Sequence, residues 1–517
     1  MSGLLTAGQM IAVHARVTPE KIGAADSTRA LTFRQWNERA CRLANALLAG
    51  GLAKGERVAI LAYNCVEWME IYVALAKAGL VAVPVNFRLT PAEIRYIAQD
   101  CEVRAFIVQH ALADRLEAIS ADLGLPDERI VHFGAPRAPA GWRSYERLIE
   151  SGSPAEPGVD VRPDELWALM YTSGTTGKPK GAARTHEGSA LIALVSDLDM
   201  GLSRADTGLF VMPMCHANSL YFSFALAYAG ATCVVHDRSS FNPEEVLRTM
   251  SHRQVSFTSM VPTQYTMLLD LPAAIWKQHS VDCVRRLMIS SAPARRETKL
   301  AIMESFANSK LFELYGSTEA GWVTLLRPDE QLTKLGSVGR EWTGTGPVRL
   351  LDDAGNDVPD GEVGELYSRT PFTFTHYWNQ PEKTAQAFRG DYCTVGDMAR
   401  RDEDGYYYLV DRKNNMIITG GENVYPSEVE SVLATHPKVF DVAAVGVPDD
   451  LWGERVHAVL VLREGETATE GEILEWCRGR LAGYRRPRSV SFMREDEMPR
   501  TATGKIQHRV LRERVRR

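Results

Sequence analysis

The sequence predicts an α/β protein in two parts: a large N-terminal domain of stacked, parallel-type sheets with helices, and a small α+β C-terminal domain. Three observations carry this. At 517 residues the chain is too long for one ordinary core. Its first hundred residues alternate helix-period and strand-like segments, the pattern of parallel α/β layers. A polar joint, DEDGYYYLVDRKNN at 402–415, then leads into a compact final unit.

The elements follow in order. In TFRQWNERACRLANALLAGG, Thr32 and Gln35 stand at capping-box spacing, apolar residues recur at helical period, and Gly50–Gly51 ends the helix. RVAILAYN reads as a buried strand, CVEWMEIYVALAKAG as a helix and LVAVPVN as another strand. TPAEIRYIAQDCE is a helix with Thr90 as cap, Pro91 in its first turn and Glu93 closing the box. VRAFIVQ is a strand again. SGSPAEPGVDVRPD, 151–164, is a surface connection within the domain, and mixed α/β texture continues to about 400. The expected domains are 1–411 and 412–517, the second built from SEVESVLATH, FDVAAVGV, RVHAVLVL and EGEILEWCRGRLA.

Composition narrows the function classes. Hydrophobic content of 45% and charged content of 24% suit a soluble globular protein, and a net charge of −6 leaves no nucleic-acid footprint. Eight scattered cysteines without a CxxC pair argue against a disulfide framework or zinc site and suit the cytoplasm. The N-terminus lacks a signal-peptide pattern. SLYFSFALAYAGATCVV, 219–235, carries Gly, Thr and Ser and falls short of a comfortable span. A buried helix running into a buried strand is expected instead, and no integral membrane segment.

The chemistry begins at YTSGTTGKPKG, 171–181. Its glycines let backbone N–H groups approach oxygens, its hydroxyls add donors and Lys180 adds charge, so it can hold polyphosphate. It is not a Walker A loop. Only two residues separate Gly174 from Gly177, and Pro179 after Lys178 blocks the helix that should start there. Gly504–Lys505 fails too, because Pro499 occupies the upstream glycine position. A solvated Gly/Thr surface loop is the competing reading.

Six further stretches stand downstream in order. MPMCHANS, 212–219, places His216 after a strand end; a lone histidine there would ordinarily be a satisfied core residue. LMISSAPARRE, 287–297, ends a strand in small residues, room for a flat adenine against Ser291, Ala292 and Pro293, although a tight turn explains it equally well. ELYGSTEA, 313–320, offers a ring at Tyr315, a hydroxyl at Thr318 and a Mg²⁺-suited carboxylate at Glu319, the alternative for Glu319 being an acid in a helix first turn. YCTVGDMARRDEDGYYYLVDRKNNMI, 392–417, carries Asp397, able to accept from both ribose hydroxyls, and Arg412, which can reach sugar or phosphate. GGENVYPSEVE, 420–430, sets Ser427 and Glu430 at capping-box spacing. Finally, PRTATGKIQ, 499–507, places Lys505 in a glycine-flanked loop.

Together these seven stretches resemble the adenylate-forming superfamily: acyl-CoA synthetases, aryl-CoA ligases, luciferases and peptide-synthetase adenylation domains. The resemblance implies ATP, Mg²⁺ and coenzyme A. It places ATP on Thr172, Ser173, Gly174, Thr175, Thr176, Gly177, Lys180, Ser291, Ala292, Pro293, on Glu313, Leu314, Tyr315, Gly316, Ser317 and Thr318, and on Asp397 and Arg412. Thr175 and Glu319 would hold the metal, Lys505 would bridge the acid carboxylate and the α-phosphate, and His216 would stand beside the carboxylate and the thiol route. Departures are mild: Cys215 precedes His216 where an aromatic is commoner, and Tyr392 with Val395-Gly396-Asp397 replaces Trp and Thr-Gly-Asp.

The implied reaction is attack of a carboxylate on the α-phosphate, release of pyrophosphate, and thiol attack on the acyl-adenylate. Between the steps the small domain would turn about a hinge, here Asn414 where Asp or Lys is usual. Gly420, Gly421, Arg485 and Arg486 are candidate CoA contacts, the last two within a basic C-terminal stretch that a solvated tail also explains. His216, Asn218, Tyr221, Met288 and Trp322 would line the acid pocket, alongside Leu220 and Phe222, favouring a fatty or aryl acid over acetate. A carrier-loading adenylation enzyme is the nearest rival, and a non-catalytic nucleotide sensor the rival from another class. A homodimer is compatible with the sequence.

Overall fold

In the computed structural model, residues 5–172, 178–291, 294–420, 422–500 and 505–515 are described. The chain divides into two compact units: residues 1–347 with 368–393, and residues 348–367 with 394–517.

The first unit holds two large sheets. One has seven strands in the order Arg143–Ser144, Ile130–Phe133, Ala105–Gln109, Arg57–Leu61, Val81–Val85, Leu166–Thr172 (β1) and Lys180–Thr185 (β2). All its pairings are parallel except the last, β1 with β2. The other has nine: Ala30–Thr32, Ile22–Ala25, Thr232–Val235, Thr207–Phe210 (β3), Phe257–Met260 (β4), Arg286–Ser290 (β5), Lys310–Ser317 (β6), Gly321–Leu326 (β7) and Arg340–Glu341. Six of these run parallel, from Ile22–Ala25 across to β6, with antiparallel strands at both ends.

Local signals explain the helices around them. Thr32 with Gln35 and Thr90 with Glu93 form complete capping boxes, the second with Pro91 in the first turn. Residues 219–235 fall, as expected, into a buried helix and a buried strand, Ala217–Tyr228 and Thr232–Val235. Among the described residues no helix is long and apolar enough to cross a membrane. Trp36, Trp68 and Trp167 are wholly buried in the main apolar cluster, which reaches to Tyr221, Phe222, Met288, Trp322 and Trp342.

The second unit also has two sheets. Arg349–Leu351, Val363–Tyr367, Asp397–Arg401 (β8) and Tyr407–Arg412 (β9) form an antiparallel sheet, so the boundary expected at 411/412 falls within β9, inside this unit. The other joins Glu422–Val424, Ile417–Thr419, Gly453–Leu462 and Val439–Asp449, with Ser489–Phe492 alongside.

One local expectation is corrected here. Ser427 and Glu430 do not form a capping box, because Pro426 takes the first helical position and Tyr425 becomes the cap. The Ser427 N–H donates instead to Asp411 at 3.0 Å. Glu430 accepts from the Ala444 N–H at 2.9 Å and pairs with His508 at 2.6 Å.

Candidate active site

In the first unit, β1 and β2 pair with Thr172 opposite Lys180, so the two ends of the glycine-rich loop lie side by side. The loop itself, with Ser173, Gly174, Thr175, Thr176 and Gly177, falls outside the described residues, as do Ala292, Pro293 and Gly421. The Thr172 hydroxyl donates to Glu319 Oε1 at 3.1 Å and the Tyr377 hydroxyl to the same oxygen at 2.8 Å. Among the described residues no donor reaches Glu319 Oε2. Lys180 Nζ lies 3.9 Å from the centre of the Tyr377 ring.

Glu319 is only 6% exposed. It sits in the turn between β6 and β7, which removes the helix-first-turn reading. Several contacts hold that turn. The Ser317 hydroxyl accepts from the Ala320 N–H at 2.9 Å, and Gly321 supplies a φ of +73°. The Phe374 N–H donates to the Glu319 carbonyl at 2.7 Å. Gly316 is required by close approach, since a Cβ there would stand 2.3 Å from the Gly321 carbonyl oxygen. Leu314 is buried, and the Glu313 carboxylate is committed to Lys299 of helix Arg296–Ser305 at 2.5 Å, both wholly interior. Burial raises Glu313 above the usual carboxylate range against the pull of Lys299. Contact of these two positions with a nucleotide would therefore run through the backbone.

The helix Ala217–Tyr228 begins immediately after His216, its N-cap residue. Burial lowers the His216 imidazole to about 4, with Arg88 adding to the effect, so the ring is neutral near pH 7, and among the described residues its Nε2 has no hydrogen-bond partner. Burial pushes the neighbouring Cys215 thiol up to about 12. The Asn218 amide donates to the Ser259 and Ser290 hydroxyls at 3.0 and 2.9 Å, tying the helix start to the ends of β4 and β5. Directly after β5, Ser291 adopts a φ of +69°, a strained conformation of the kind that gathers at functional sites. Tyr221 meets Trp322 edge-on at 5.5 Å, Phe222 stacks on Trp322 at 4.9 Å, and Trp342 lies 6.1 Å beyond. Met288 is fully buried in the same cluster, where its carbonyl accepts from Tyr265.

The second unit gathers the other candidates. Asp397 and Arg412 face each other across β8 and β9 and pair at 2.5 Å. Lys505 keeps exposed surface, yet its crowded surroundings lower its pKa, first by desolvation and then by Arg412, with Asp397 opposing. Asn414 lies in the turn Lys413–Asn415 after β9, with φ in the ordinary negative range. That turn is anchored by Lys413, which pairs with Asp353 and Glu365, and by Asn415, which donates to Asp411. Gly420 has a φ of +60°, and a Cβ there would meet the Trp452 ring at 2.7 Å. Arg485 pairs with Glu428 at 3.3 Å, so one of the two proposed CoA arginines already has a carboxylate.

Sequence reasoning missed two groups beside Glu319. Tyr377 comes from a stretch without a motif and reaches the site because it bridges to Ala182 of β2. Arg184 is 1% exposed and donates to the Thr318 and Glu319 carbonyls at 3.2 and 2.9 Å. An arginine inside a strand of small residues, all of whose interior positions are buried, is the signal available. Cys393 lies close by: burial and then Glu319 raise its thiol, and Arg184 and Lys180 oppose the rise.

The family model "AMP-binding enzyme" matches residues 11–378, and "AMP-binding enzyme C-terminal domain" matches 428–505. The chain is an AMP-binding enzyme. Among relatives of this AMP-binding enzyme, the indoleacetate–CoA ligase of Aromatoleum aromaticum is 34% identical over 98% of this chain and 97% of its own. A long-chain-fatty-acid–CoA ligase of Mycobacterium tuberculosis is 35% identical over 93% of each. The solved anthranilate CoA ligase in complex with anthranoyl-AMP superimposes with a TM-score of 0.88 at 30% identity, covering 99% of this chain and 98% of that one. This AMP-binding enzyme is an AMP-forming acid–thiol ligase that uses ATP, Mg²⁺ and CoA.

Magnesium fits the residues present. Glu319 and Thr172 offer only hard oxygen donors, and among the described residues nothing engages Glu319 Oε2, which could take a cation. A single carboxylate is the share a protein supplies when phosphates and water complete the shell. Bound there, the ion would offset the charge building on the departing pyrophosphate.

Proposed function

We propose that the acid activated by this enzyme is aromatic. The observation that carries the reading is the buried aromatic group Tyr221, Phe222, Trp322 and Trp342. Edge-on and offset rings accept a further ring well, whereas a long alkyl chain needs a clear channel through the same volume. Relatives named for indoleacetate and feruloyl substrates support the choice, and the fatty-acid relatives supply its competitor.

In this reading the residues divide the work on ATP. Glu319, steadied by Thr172 and Tyr377, holds the metal, and Lys180 adds positive charge on the phosphate side. Asp397 accepts from the ribose hydroxyls, Arg412 reaches the phosphate side, and Lys505 neutralises charge between the attacking carboxylate and the α-phosphate. Neutral His216 accompanies the carboxylate without adding charge. Eight free cysteines support a cytoplasmic setting.

Steady-state thioester formation with acetate, octanoate, palmitate, benzoate, cinnamates and indole-3-acetate tests the assignment. An aromatic acid should exceed palmitate in kcat/KM by about a hundredfold, a difference that pocket shape alone can supply. Trp322→Ala should narrow that gap. Palmitate as the best substrate would overturn the aromatic reading.

A further inference from the structure

Arg184 is a buried cation that the reaction described above does not use. Other interior cations have counter-charges: Lys299 has Glu313 at 2.5 Å and Lys77 has Glu156 at 2.6 Å. Among the described residues Arg184 makes no ion pair, and its Nη2 is buried without an acceptor. A guanidinium keeps its charge at any accessible pH, and interior charge without compensation is costly. What meets it here are two carbonyl oxygens, those of Thr318 and Glu319 at 3.2 and 2.9 Å, and the face of Tyr221 at 5.2 Å. The first two belong to the turn that carries the candidate metal carboxylate.

Strand geometry adds a link. Lys180, Ala182 and Arg184 alternate onto one face of β2, so a single strand carries the lysine next to Tyr377, the residue bridged to Tyr377, and the clamp on the Glu319 turn. Tyr377 in turn donates to Glu319.

We propose that Arg184 is a positioning residue for the metal site, locking the Thr318–Glu319 turn so that the Glu319 carboxylate is held in place before MgATP arrives. The proposal rests on the reading of Glu319 as a magnesium ligand. A carboxylate fixed in advance loses less freedom when it ligates, so the clamp should appear as metal-dependent tightening of ATP binding.

The test is calorimetric titration of the full-length enzyme with ATP, once with excess Mg²⁺ and once with EDTA, which gives the factor by which the metal tightens binding. Arg184→Gln and Glu319→Gln should each cut that factor about tenfold, the worth of one charge-assisted hydrogen bond, while ATP affinity in EDTA stays near wild type. Arg184→Lys, which can still donate to one carbonyl, should recover part of the loss; it also carries the comparison if Arg184→Gln does not fold. A normal factor in both Arg184 variants with a reduced one in Glu319→Gln would overturn the positioning role alone, as would a change confined to the KM of the acid. A normal factor in Glu319→Gln would overturn the ligand reading and the clamp with it.

Discussion

His186 permits a prediction whose size can be worked out. It opens the helix His186–Met200 directly after β2, is 2% exposed, lies 6.2 Å from Trp167, and among the described residues has no hydrogen-bond partner on either ring nitrogen. Burial lowers its pKa to about 4 from 6.5, with Glu165 opposing and Lys54 assisting. The unfolded chain therefore binds the proton more readily. Stability present above about pH 6.5 is lost as the pH falls toward 4, and none further is lost below that. At pH 5 the unfolded form gains about 1.5 pK units of extra protonation, or about 2 kcal/mol. His186→Leu removes this dependence together with two unsatisfied polar atoms. Urea unfolding of the first unit, followed by tryptophan fluorescence at pH 7.5 and 5.0, should lose about 2 kcal/mol less in the variant than in the wild type. Equal losses would refute the reasoning, because His186 would then titrate alike in both states.

Three further outcomes follow from the site. Tyr377→Phe removes a 2.8 Å hydrogen bond to a buried carboxylate and should slow ATP–pyrophosphate exchange about tenfold to a hundredfold, the range for a bond to a charged group; an unchanged rate would detach Tyr377 from the metal site. Gly316→Ala places a methyl against the Gly321 carbonyl and should abolish exchange while leaving the second unit's resistance to proteolysis intact, as limited digestion would show. Lys505→Met should lower exchange by about a hundredfold or more, yet leave thioester formation from supplied acyl-adenylate nearly unchanged, measured by single-turnover mixing.

What was legible in the sequence was what is written locally. The boxes at Thr32 and Thr90 formed because cap and partner lie within one turn and nothing competes for them. The alternating elements of the first hundred residues became parallel strands for the same reason. At Ser427 the same spacing failed, since Pro426 claims the first helical position, the Ser427 hydroxyl donates to the Val410 carbonyl and its N–H to Asp411, and His508 claims the Glu430 carboxylate. Glu313 stands in a nucleotide motif yet faces Lys299, a partner fourteen positions away that no pattern announces. Arg184 and Tyr377 reach Glu319 only through strand pairing and a bridge between distant segments, and this is information of the sheet rather than of any motif.

The condition of the cysteines has a consequence for an enzyme that makes an acyl-adenylate. Such an intermediate is an electrophile, and any thiolate beside it would capture the acyl group and end the enzyme's working life. Cys215 adjoins His216, and Cys393 lies within the electrostatic reach of Glu319, Arg184 and Lys180, yet burial keeps both thiols protonated. A protonated thiol is a poor nucleophile. The low dielectric around these cysteines thus keeps two thiols of the first unit in their less nucleophilic form.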